Sequence, residues 1–219
     1  APSTHSENEV RAVFEDRNQY LWAATRDGTV YLYDHDRNLA GYLRENGTFE
    51  SGPPFKALVY AITQDSRGII WMGSKGSGLF RLEPLGKGLP DRYRITGYRH
   101  DEADPFSLSH DNVYSVFEDP SGRIWVGTFN GGLNLMEEGR DGVRFINSFN
   151  LLKNYPFANH KRVRFITADL SNHIWVGTTS GLVIFDRNFT DPSDIRFTSC
   201  FYDPTDETSL ANNDVYYIY

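Results

Sequence analysis

The chain has one cysteine, Cys200, so no disulfide can form within it. It has no basic excess: 22 Lys and Arg stand against 29 Asp and Glu, a formal net charge of −7, and the basic residues form no run. A nucleic-acid partner is therefore not expected, because phosphate neutralisation needs a concentrated basic face. No apolar stretch approaches the ~18–20 residues that cross a bilayer, and no cleavable leader is recognisable. The six histidines include no pair at metal-ligand spacing. What the chain does have is a high aromatic content, 15%, and four tryptophans that stand in one repeated sentence.

Aligned on Trp22, Trp71, Trp125 and Trp175, the segments read VRAVFEDRNQYLWAATRDGTVYL, VYAITQDSRGIIWMGSKGSGLFRL, VYSVFEDPSGRIWVGTFNGGLNL and VRFITADLSNHIWVGTTSGLVIF. The Trp-to-Trp steps are 49, 54 and 50 residues. A period of that size marks a stacked or radial array of supersecondary units. Within the unit the spacing is rigid. Val10, Val59, Val113 and Val163 stand 12 residues before the Trp, and Asp16, Asp65, Asp119 and Asp169 stand six before it.

Each unit reads as three consecutive strands with a fourth, more variable one. Val113 to Phe117 alternates and is rich in β-branched and aromatic types, Asp119-Pro120-Ser121-Gly122 is turn chemistry, and Ile124 to Thr128 carries the Trp. Gly68 and Asn172 repeat the role of Gly122, whereas Gln19 departs from it and predicts a looser first turn. Fourth strands are expected at Leu39–Leu43, Arg94–Arg99, Val143–Phe149 and Ile195–Tyr202. The fold class is therefore all-β, with four-stranded antiparallel β-propeller blades near 10–50, 59–100, 113–150 and 163–203. Asn213 to Tyr219 matches Asp111 to Phe117 and is expected to open a fifth blade, so that residues 1–219 are expected to be one partial propeller, a fragment of a larger, seven-bladed one.

Structural roles follow from position. The tryptophans are expected to be buried between blades. Gly73, Gly127 and Gly177, with Ala24 in the first unit, are two residues after Trp and should let a neighbouring backbone approach. Thr25, Ser74, Thr128 and Thr178 follow, each hydroxyl placed to bond the hairpin Asp or a turn amide.

Local motifs that suggest other chemistry do not hold. Gly73 to Gly78 is glycine-rich but leads into a strand, where a phosphate loop requires a helix N-terminus. Asp34 to Asn38 with Glu45 has calcium-loop spacing, yet Leu39 replaces the required Gly. His173 occupies the turn position of Arg123 and is expected to face solvent. No catalytic residue, metal or cofactor is nominated.

The repeat V-x5-D-x2-[G/N]-x2-W-[V/M]-G-[T/S], with the linkers Tyr98 to Ser109 and Phe201 to Leu210, resembles the two-component regulator propeller repeat of hybrid two-component histidine kinases in gut Bacteroidetes. The resemblance implies a periplasmic, membrane-anchored sensor. It further implies more blades, a histidine kinase and a transcriptional output outside these residues, and an oligosaccharide as ligand. The loops after the Trp strands open on one face and differ in sequence, so Arg26, Lys75, Phe129 and Asn130 are the expected ligand contacts. A propeller lyase or glycosidase, and a purely structural or interaction propeller, are the alternatives. Uncovered blade faces predict an open arc or a homodimer rather than a closed ring.

Overall fold

A computed structural model describes residues 9–86, 92–140 and 142–219. Two compact units are formed, Ala1–Tyr98 and Arg99–Tyr219. Each holds two sheets, and every sheet is a four-stranded antiparallel meander in chain order. In the first unit, blade 1 is β1 (Val10–Glu15), β2 (Leu21–Thr25), β3 (Val30–Tyr33) and β4 (Leu39–Tyr42). Blade 2 is β5 (Val59–Gln64), β6 (Ile70–Ser74), β7 (Leu79–Pro84) and β8 (Tyr93–Tyr98). In the second unit, blade 3 is β9 (Val113–Glu118), β10 (Ile124–Thr128), β11 (Gly132–Gly139) and β12 (Gly142–Asn147). Blade 4 is β13 (Val163–Ala168), β14 (His173–Thr178), β15 (Gly181–Asp186) and β16 (Thr198–Cys200). The all-β blade architecture expected from the repeat is what the chain adopts.

The hairpin turn that opens each blade is built around its aspartate. Asp16 Oδ1 accepts from the backbone N–H of Asn18 and Tyr20, Asp65 from Arg67 and Ile69, Asp119 from Ser121 and Arg123, and Asp169 from Ser171 and His173. Gln19 does not loosen the first turn. It takes a φ of 65° beside the 84°, 81° and 70° of Gly68, Gly122 and Asn172, and the Asp16 contacts are kept. The two bonds to the carboxylate offset the left-handed strain of one non-glycine residue.

The other carboxylate oxygen holds the tryptophan. Trp22, Trp71, Trp125 and Trp175 donate Nε1–H to Oδ2 of Asp16, Asp65, Asp119 and Asp169 at 3.0, 3.1, 3.0 and 2.9 Å. A buried indole needs an acceptor, and this one comes from its own hairpin. Trp22 meets Phe49 and Tyr93 edge-on at 5.6 and 5.5 Å in the core of the first unit. Trp125 meets Phe185 and Phe189 of blade 4 in the core of the second.

The Ser and Thr hydroxyls do not reach the hairpin aspartates. Thr25, Ser74, Thr128 and Thr178 donate instead to the carbonyls of Thr29, Gly78, Gly132 and Gly181, closing the turn after the Trp strand. Each blade is wide enough to put its two turns at opposite strand ends, out of reach of one hydroxyl. Gly127 also differs from expectation. A Cβ on Gly127 would overlap Val163 Cγ1 and lie 3.2 Å from Ile166 Cδ1, so the close neighbour is a side chain of the next blade. Val163 and Ile166 are knobs seated in a hole that only glycine leaves open.

The same joint recurs at the end of the chain. A Cβ on Gly177 would meet Val215 Cγ1 at 3.1 Å, the Val215 carbonyl oxygen at 3.2 Å and Ile218 Cδ1 at 3.5 Å, so here a neighbouring backbone does approach, at the residues equivalent to Val163 and Ile166. Residues 213–219 thus lie where a first strand of a next blade would lie, but form no ladder and are not a strand. Val215 N–H donates to the Thr178 carbonyl at 2.9 Å, and the Asn213 carbonyl accepts from Gly181 N–H, as the Lys161 carbonyl accepts from Gly132 N–H at the preceding joint. Trp175 is half-buried, where Trp22, Trp71 and Trp125 are fully buried, and it borders an open cavity of about 580 Å³ with Leu170, Ile218 and Tyr219.

Candidate functional site

All four β2–β3-type turns are anchored identically, which separates their frame from their tips. The first tip residue donates its N–H to the residue preceding the repeat valine: Arg26 to Glu9, Lys75 to Leu58, Phe129 to Asn112 and Thr179 to Arg162. With the hydroxyl below it, this fixes the loop backbone and leaves the tip side chains to vary. The expected contacts therefore fall on a defined rim of each unit, Arg26 and Lys75 in the first and Phe129 and Asn130 in the second.

In the first unit the rim is internally satisfied. Arg26 Nη1 bonds Glu9 at 3.0 Å, and Glu9 also pairs with Arg11. Asp27 is held by Lys56 at 2.9 Å and by the hydroxyls of Thr25 and Thr29. Burial alone would raise the Asp27 pKa, but these hydrogen bonds outweigh it and hold the carboxyl well below its ordinary range. Lys75 is exposed at its own tip.

In the second unit, Phe129 and Asn130 come together and gather further residues. Arg162 donates Nε–H to Asn130 Oδ1 at 3.1 Å, and its guanidinium carbon lies 5.5 Å from the Phe129 ring centre. Arg164 lies 5.6 Å from the same ring and 4.0 Å from the Tyr216 ring. Tyr114 packs on Phe129 with 5.0 Å between ring centres. Asp214 grips Arg164 through Nε and Nη2 at 2.8 and 3.2 Å. The geometry is an aromatic–cation cluster reaching from blade 3 through blade 4 to the terminal segment, with each contact of the kind worth ~0.5–2 kcal/mol.

A backbone irregularity aims these side chains. In every blade the first strand slips by one residue just after the repeat valine, leaving Arg11, Tyr60, Tyr114 and Arg164 unpaired in the register. A bulge of this kind turns a side chain out of the pleat. Within the first unit Arg11 lies over the Tyr60 ring at 5.9 Å, and within the second Arg164 lies over Tyr216, its counterpart in the terminal segment. Inspection of the tips alone misses these positions. Their signal is present in the aligned repeats, where the residue after the valine is Arg, Tyr, Tyr, Arg and Tyr.

Other candidates resolve into structure. Asp34 Oδ1 accepts from the N–H of Asp36 and Asn38, a turn and not a cation loop. The His173 ring is partly exposed, as expected, and its Nδ1 lies 3.0 Å from Asp169 Oδ2. The linkers match each other bond for bond: His100 N–H meets Asp111 and Tyr202 N–H meets Asn213, while Ser107 and Ser209 cap Asp101 and Asp203.

Residues 55–76 and 107–130 match the family described as two component regulator propeller. A histidine kinase from Formosa agariphila is 35% identical over 98 residues, covering 44% of this chain and 7% of that protein. Among solved structures, extracellular domains of two hybrid two component systems from B. thetaiotaomicron superpose with TM-scores of 0.62 and 0.61 at 22% and 23% identity. Those alignments cover 87% and 90% of this chain but 23% and 25% of theirs. Virginiamycin B lyase from Staphylococcus aureus shares the fold at a TM-score of 0.57 and 16% identity, over 92% of this chain and 58% of its own. The chain thus spans a small part of the relatives it matches. The matched segments are thus similar to two component regulator propeller repeats, and the solved structures share the blade fold.

Proposed function

We propose that these blades are the ligand-binding part of an extracytoplasmic sensor in a hybrid two-component signalling protein. The ligand is an oligosaccharide, and binding is relayed to a histidine kinase and a transcriptional output elsewhere in the protein. The observation that carries this reading is the cluster around Phe129: a constant Asp–Trp frame presents bulged and tip side chains of variable chemistry on one rim. Guanidinium and amide groups beside aromatic rings are what saccharide hydroxyls and ring faces use. The matches to a histidine kinase and to extracellular sensor domains supply the context. Placing all four blades in one propeller, and pairing of two copies over exposed apolar faces, belong to the same reading.

Incubation of the purified chain with fluorescently labelled glycans tests it. Saturable binding without new products, weakened at least tenfold by Phe129→Ala, is the expected result. Product formation would assign the fold to a lyase or glycosidase. Silence across the glycans together with stable self-association would assign it to an interaction role.

A further inference from the structure

Arg162 differs from the other arginines of the rim. Its Nε–H is fixed by Asn130, its plane is held beside Phe129, and its backbone carbonyl is tied to Thr179 N–H. Yet no carboxylate pairs with it among the described residues, and its two terminal nitrogens donate to nothing there. Arg11 and Arg26 by contrast share the Glu9 carboxylate, and Arg164 is paired with Asp214. Lys161 precedes it, exposed, with its carbonyl accepting from Asn130 N–H and Gly132 N–H. In a chain of net charge −7, this is a place where positive charge is both unmatched and held in position.

From this we infer that the rim of the second unit reads an anionic group on its saccharide, with Arg162 as the residue that receives it. The inference rests on the saccharide reading above and narrows it to acidic sugars. A guanidinium whose inner nitrogen is already bonded presents its outer edge as a ready fork, the shape that a carboxylate or sulfate accepts through two parallel hydrogen bonds. Pre-positioning by Asn130 and Phe129 removes the rotamer cost that a free arginine would meet on binding. Arg164, held by Asp214 and Tyr216, contributes packing and does not compete for the anion. Lys161 adds a second, mobile charge. A uronic acid and a sulfated sugar present the same chemistry here.

The test is titration calorimetry of the whole chain against a panel of uronic-acid oligosaccharides, each beside its carboxyl methyl ester, and sulfated galactan oligosaccharides that lack carboxylates. The expected result is binding of at least one acidic oligosaccharide that esterification weakens by tenfold or more. Arg162→Gln should give a similar loss with a fall in melting temperature of no more than about 4 °C, because the side chain is exposed and its contacts are worth about 1 kcal/mol. Arg162→Lys should recover little, since the charge returns without the fork. Preference for the sulfated set with the same Arg162 dependence would identify sulfate as the anion. Binding that is equal for acid and ester and indifferent to Arg162→Gln would overturn the inference while leaving the saccharide reading standing. No binding by any saccharide, charged or neutral, would overturn both.

Discussion

Replacing Asp119 by alanine removes the acceptor for a fully buried indole N–H, and its cost can be worked from the contacts. Asp119 Oδ2 receives Trp125 Nε1–H at 3.0 Å and Arg123 Nε–H at 2.7 Å, while Oδ1 receives two turn amides. Trp125 is wholly buried, so its N–H would face no acceptor and no water. An orphaned buried donor costs ~1–3 kcal/mol, and the two turn amides, reachable by solvent, ~0.5 kcal/mol each. A loss of about 3 kcal/mol is expected, or roughly 12 °C in melting temperature at ~4 °C per kcal/mol for a unit of this size. Asp169→Ala is the internal control, because it breaks the same pair where Trp175 is half-exposed and water can replace the carboxylate. Its loss should be clearly smaller. Thermal unfolding followed by tryptophan fluorescence and far-ultraviolet dichroism measures both. Equal shifts for the two variants, or a change below about 1 kcal/mol for Asp119→Ala, would refute the argument that burial of the indole sets the value of its acceptor.

Gly127→Ala should destabilise the second unit by ~1–3 kcal/mol in urea unfolding, because its Cβ overlaps Val163, which the β13–β14 ladder pins. Gly177→Ala should cost less, since Val215 belongs to a segment without a ladder. His160 gives a pH dependence. Its Nδ1 lies 3.0 Å from Thr178 Oγ1, and that hydroxyl already donates to Gly181, so Nδ1 carries the proton and the buried Nε2 has no partner. Burial lowers the His160 pKa, and His110 is lowered for the same first reason. The unfolded chain therefore takes up the proton first, so stability falls as pH drops below about 6.5 and levels off under the folded value. Melting temperatures measured between pH 7.5 and 5 should show this slope, and His160→Gln should reduce it. An unchanged slope would remove His160 as its source. Asp169 is held at about 2, chiefly by the His173 backbone N–H and then the Trp175 indole, so its contribution is present above pH 4 and lost as the pH falls from 3.8 toward 2.

The repeat made most of the fold legible. Fourth strands expected at Arg94–Arg99 and Val143–Phe149 form as Tyr93–Tyr98 and Gly142–Asn147, and the weak candidate Leu39–Leu43 forms as Leu39–Tyr42. Ile195–Tyr202 contracts to Thr198–Cys200, because a 3-10 turn at Pro192–Asp194 takes up the preceding chain. At the site, Phe129 and Asn130 were readable as loop tips, but Arg162, Arg164 and Tyr114 were not. They lie 32 and more residues from the tip, or on a strand whose alternation hides a one-residue slip. Periodicity reports which residues share a face only while the register is unbroken.

Four copies of one sentence, with Val, Asp and Trp at constant offsets, were enough to determine the blade and its turns, because those depend on contacts within about 20 residues. What the tertiary structure alone decided is which side chain fills the glycine hole and which arginine of the second unit's rim is left without a carboxylate among the described residues. Those outcomes depend on how one sheet meets the next, and a pairing between residues more than 30 positions apart leaves no mark in the spacing of either.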